Sequence, residues 1–89
     1  MKTMADVRRL VKPGLVFQCV NYIHPEVSGR RTVVRAQVKS FSYEVDAADK
    51  KIGWIEYPKA GEYRIDGNEL IFLYAGEPAF RFIFGEAEA

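Results

Sequence analysis

Cys19 and His24 are the only thiol and the only imidazole in the chain. They are therefore the one pair that nucleophilic catalysis could use, and such a dyad also needs a third group to orient the ring. The sequence pattern opposes this use. Cys19 shares the parity of Leu15 and Phe17 in an alternating apolar run, the parity that faces a core, where a free cysteine behaves as a small hydrophobe. His24 stands in front of Pro25 at the head of a loop. One Cys and one His also fall short of the three or four protein ligands of a zinc site. Glu44, Asp46, Asp49 and Glu56 flank one expected hairpin, but they lack the spaced acids, glycine and closing glutamate of a calcium loop. With Lys50 and Lys51 among them they read as a solvated turn. Glycines 14, 29, 53, 61, 67, 76 and 85 are scattered as turn glycines are, so no phosphate-cradling loop is expected. The residues predict no enzyme, no metal and no cofactor.

Recognition chemistry is better supplied. Residues 1–39 carry eight bases (Lys2, Arg8, Arg9, Lys12, Arg30, Arg31, Arg35, Lys39) against Asp6 and Glu26, a balance of +6. Residues 40–89 carry five bases against ten acids, a balance of −5, so the whole chain is only +1. A one-sign face steers an anionic partner over about a Debye length, roughly 8–10 Å. Arg8, Arg9, Lys12, Arg30, Arg31, Arg35 and Lys39 are accordingly the candidates for a nucleic-acid or other anion contact, with exposed aromatics as stacking platforms. The pI of about 7.8 is low for a dedicated nucleic-acid domain, and strands from the two halves can face one another and cancel their charge. The twelve aromatics are a high load, and Tyr22, Tyr43, Trp54, Tyr57 and Tyr63 exceed what a small core holds with every polar tip satisfied. They are the candidates for contact with another protein. Trp54 and Tyr57, three apart on one strand, are expected on opposite faces.

These side chains are positioned by one short helix and a series of strands. Met4, Val7, Leu10 and Val11 recur at helical spacing within residues 3–12, with Arg8, Arg9 and Lys12 opposite. Thr3 is placed to cap this helix, with Asp6 at its third position, and Pro13-Gly14 ends it. So short a helix needs a docking surface. From Leu15 onward, β-branched and aromatic runs are broken by Gly, Pro, Asn and Asp. Strands are expected over Leu15–Tyr22, Thr32–Val45, Ile52–Tyr57, Tyr63–Ile65, Leu70–Tyr74 and Ala79–Phe84. In the second of these, Val34, Ala36 and Val38 alternate against Phe41, Tyr43 and Val45, which demands a bulge or bend near Lys39-Ser40. Asp66-Gly67-Asn68 is a tight hairpin signal. Phe80, Phe82 and Phe84, with Leu70, Phe72 and Tyr74, are expected to build the core. Ile71, Leu73 and Ile83 then point away, to be covered by the helix or by a second copy of the protein, and join the interface candidates.

Eighty-nine residues make one domain, residues 15–84 as barrel and 85–89 as a frayed tail. The expected fold is all-β: a small, partly open barrel of five or six antiparallel strands with a short N-terminal helix, SH3-like or OB-like by analogy of fold alone. No apolar run is long enough to span a membrane, residues 1–9 lack the apolar stretch of a signal peptide, and the lone cysteine precludes an internal disulfide, so a cytoplasmic protein is expected. The functional expectation is a non-enzymatic binding module for another protein or for itself as a homodimer, with nucleic-acid binding as the alternative.

Overall fold

The computed structural model describes residues 2–45 and 51–84. The expected loop at 46–50, with Asp46 and Asp49, and the tail at 85–89 lie outside the described residues. Helix α1 (Met4–Leu10) is capped as its sequence predicts: Thr3 Oγ1 accepts from the Asp6 backbone N–H, and the Asp6 carboxylate accepts from the Thr3 N–H. This reciprocal box satisfies two of the four orphan donors of the first turn. The strands are β1 (Val16–Asn21), β2 (Gly29–Ala36), β3 (Ser40–Val45), β4 (Ile52–Glu56), β5 (Tyr63–Asp66), β6 (Glu69–Tyr74) and β7 (Glu77–Phe84), and a 3₁₀ turn, η1 (Pro25–Val27), follows β1. They form one antiparallel sheet in the order β4-β3-β2-β1-β7-β6-β5.

The sheet is curled into a half-barrel. β3 and β7 are three positions apart in the sheet, about 14 Å if it were flat. Yet the rings of Phe41 on β3 and Phe82 on β7 approach to 6.1 Å between centroids. Phe17 on the central strand β1 touches both, at 6.0 and 4.7 Å, and Phe84 at 5.6 Å. Alternation of aromatic residues puts these rings on one face, and their burial bends the sheet around them. Met4, Val7 and Val11 join the same cluster, so α1 docks on the inward residues.

The fold class expected from the pattern is present, with seven strands where the sequence pattern predicts five or six. The difference lies in residues 32–45. What reads as one bent strand is the hairpin β2–β3, closed by the Gln37 N–H donating to the Ser40 carbonyl. A bulge between Val33 and Arg35 shifts the register, so Val33 faces inward while Val34 and Ala36 are exposed and Val38, at the hairpin tip, is 81% exposed. Leu10 is likewise exposed, because α1 ends there and Val11 turns in beyond it. A second bulge, between Phe72 and Leu73, reverses the expected parity at the end of β6: Leu73 pairs with Pro78 and Tyr74 is exposed.

Ile71, expected under the helix or a second copy, is 5% exposed within the single chain and lies outside the cluster that α1 joins. Its partners across the ladders are Arg64 and Arg81, whose aliphatic stems can cover it.

Candidate binding site

Among the described residues the sheet ends in two unpaired edges, β4 and β5, and the chain itself joins them. The Tyr57 N–H donates to the Lys39 carbonyl at 2.9 Å, extending the β3–β4 ladder, and the Leu73 N–H donates to the Glu62 carbonyl at 3.0 Å, extending β5–β6. Only Pro58, Lys59, Ala60 and Gly61 lie between. An extended chain reaches about 3.3–3.6 Å per residue, so the five steps from Tyr57 to Glu62 hold the ladders within about 17 Å there. Pro58 ends β4 because it has no N–H for the ladder, and the Glu62 N–H donates to the Lys59 carbonyl to turn the chain.

Clefts open on both sides of this crossing. The first, of about 400 Å³, runs between β4 and the overhanging end of the β6–β7 hairpin; Ile23, Ile55, Pro58, Phe72, Leu73 and Phe80 supply its apolar wall. The second, of about 590 Å³, lies between the crossing and α1, with Met4, Tyr57 and Tyr63 inside and Arg8, Lys39, Lys59 and Glu56 at its rim. Along the outer face of β4 run Ile52 and Trp54, each 60% exposed. A third cavity, of about 260 Å³, opens at the far mouth of the half-barrel beneath η1.

The expected interface residues divide between these places. Trp54 is exposed and Tyr57 buried, on opposite faces as the spacing predicts. Tyr57 lies under the Arg8 guanidinium, 5.2 Å from the ring centroid, and Tyr63 packs against the core beside it. Burial pushes the Tyr57 hydroxyl above its ordinary pKa, with Arg8 opposing. Leu73 lines the apolar cleft and Ile71 is buried. Ile83, on the same outer face as Ile71, is half-buried between Glu69 and Gln18 across its two ladders. Tyr22 is exposed near the η1 end, with the Arg81 guanidinium 5.7 Å from its ring centroid.

The basic residues are only partly gathered. Arg8 and Lys39 meet at one cleft, joined by Lys59. Arg9 is paired with Asp6, whose carboxyl the Lys2 and Thr3 backbone N–H groups hold below its ordinary pKa, with Arg9 adding to the effect. Lys12 and Arg35 are exposed, Lys12 just past α1 and Arg35 at the β2 bulge. Arg30 is exposed opposite Gln18, near the other end of β2. Arg31 turns inward and is 7% exposed. Cys19 is buried, and burial raises its thiol pKa. His24 is exposed, 3.5 Å from the Glu26 carboxylate.

Ile23, Ile55, Lys59 and Phe80 are among the cleft residues that sequence reasoning missed. Only strand order brings them together. Among the described residues no group of three or more His, Cys, Asp or Glu side chains could hold a metal ion, and no helix is long and apolar enough to cross a membrane. Compared with known proteins, the chain matches no family model, no curated protein and no solved structure.

Proposed function

We propose that the protein is a binding module that captures an extended segment of another protein along the free edge of β4. The observation that carries this reading is the unpaired edge beside an apolar cleft, with Ile55 facing into the cleft and Ile52 and Trp54 exposed on the outer face. A strand added to β4 gains main-chain hydrogen bonds from the edge. Its alternate side chains then fall into the cleft against Leu73 and Phe80, and onto the outer face beside Trp54. Exposed tryptophan at such a place is the residue type that dominates interface energetics. The lone thiol suits a reducing compartment such as the cytoplasm.

Panning a random peptide library on the immobilised protein tests this. Enriched peptides should carry apolar residues at alternate positions. Their affinity should fall about tenfold or more with Trp54→Ala or Ile23→Ser, both exposed positions whose replacement leaves the fold intact. Enrichment of no sequence, or equal binding by wild type and both variants, contradicts the reading. A dimer in light scattering that Trp54→Ala converts to monomer would make the occupant of the edge a second copy instead.

A further inference from the structure

We propose that the mouth of the half-barrel beneath η1 binds a small organic carboxylate, anchored by the Arg31 guanidinium and seated on the apolar wall around it. Arg31 stands in an inward row between Phe17 on β1 and Val45 on β3, so register alone sends its side chain into the barrel. Its head donates to the carbonyls of Val27 and Arg30 and lies 5.9 Å from the centroid of the Tyr43 ring. Carbonyl oxygens orient a guanidinium without neutralising it, and among the described residues no carboxylate pairs with Arg31. A buried cation with no counter-ion among the described residues favours an anion that reaches it.

Space for such an anion is present. The cavity of about 260 Å³ is walled by Arg31, Cys19, Tyr43, Ile55, Phe80 and Phe82. One cationic group and one amide, that of Asn21, in a wall that is mostly apolar and aromatic is the usual composition of a small-molecule site, and this volume falls just under the range of about 300–1,000 Å³ for drug-sized ligands. A short-chain or single-ring acid therefore fits. The planar fork of arginine suits a carboxylate, which can accept two parallel hydrogen bonds from it. Gly29 lies beside the anchor: its φ is +151°, a conformation that favours glycine, and a Cβ there would meet Arg31 Nη1 at an ordinary contact distance of 3.4 Å.

Titration of the ¹⁵N-labelled protein with hexanoate, against hexan-1-ol as the uncharged counterpart, tests the proposal. Hexanoate should give saturable shifts of the Cys19, Arg31 and Tyr43 amides and slow alkylation of the Cys19 thiol by iodoacetamide. Hexan-1-ol should bind at least about tenfold more weakly, and Arg31→Gln should cost hexanoate a similar factor while leaving the alcohol unchanged. Trp54→Ala should bind hexanoate as wild type does, which separates this site from the β4 edge. No saturable shift, equal binding of acid and alcohol, or unslowed alkylation overturns the proposal. Should Arg31→Gln fail to fold, the comparison of acid with alcohol on the wild-type protein decides the matter.

Discussion

Gly53 on the edge strand β4 shows how one residue can fix a surface. An ideal Cβ there would stand 2.5 Å from Tyr43 Cε1, because the tyrosine ring lies across the glycine. That ring in turn packs on Phe17 at 5.7 Å. Strand propensity alone would make Gly53→Ala stabilising by about 0.5–1 kcal/mol. Displacing a packed ring costs about 1–3 kcal/mol and wins, so chemical denaturation should show Gly53→Ala less stable than wild type. A more stable variant would mean that the ring moves freely. Cys19 and Tyr43 give a second test. Burial is the main cause that raises both above their ordinary values of 9.0 and 10.0, and Arg31 opposes it in each. The unfolded chain therefore releases these protons first, so stability should fall as pH rises above about 9, until the folded-state values are passed. Cys19→Ala should flatten the lower part of that slope; an unchanged slope contradicts the assignment. At this scale the sequence was legible where alternation is clean, as at Phe80, Phe82 and Phe84. It was ambiguous at Val33-Val34, where either valine could face the core, and the choice of Val34 concealed the inward turn of Arg31.

Strands and helix were legible in proportion to their end signals. The capping box at Thr3 and Asp6, the stop at Pro13-Gly14 and the turn at Gly67 all carry side-chain or backbone chemistry that marks a boundary. Gln37-Val38-Lys39 contains no Gly, Pro, Asn or Asp, so the β2–β3 turn left no signature and two strands read as one. The β6–β7 turn makes the opposite case. Tyr74 pairs with Glu77, and Ala75 and Gly76 both have positive φ, at 54° and 82°, as a two-residue hairpin of the I′ kind requires. Alanine at such a position carries a cost of about 1–2 kcal/mol that asparagine tolerates better. Ala75→Asn should thus stabilise the protein by about 0.5–1 kcal/mol and raise Tm by several degrees. An unchanged or lowered Tm would show that the turn relaxes around alanine without strain.

For the molecule as a whole, the chain order determines what the sequence leaves hidden. Every pair of consecutive strands is adjacent except β4 and β5, which become the two edges, while β1 and β7 meet in the middle of the sheet. No local pattern records that closure, so neither the open seam nor its cleft could be read from composition. The same order interleaves the two halves of the chain. β1 and β2, from the basic half, lie in the centre of the sheet with strands of the acidic half on both sides, as in the contact of Thr32 with Glu44. The basic residues are distributed accordingly: Arg8 and Lys39 at one cleft, Arg30 near the far end of β2, and Arg31 inside. The apolar seam is the more continuous feature and leads the functional account. Amide hydrogen exchange across β4, with and without a peptide selected by panning, is the most direct test of it. The account predicts that Ile52–Glu56 gain protection on binding while the amides of β2 stay unchanged. Protection confined to β2 and the η1 turn, or none anywhere, would contradict it.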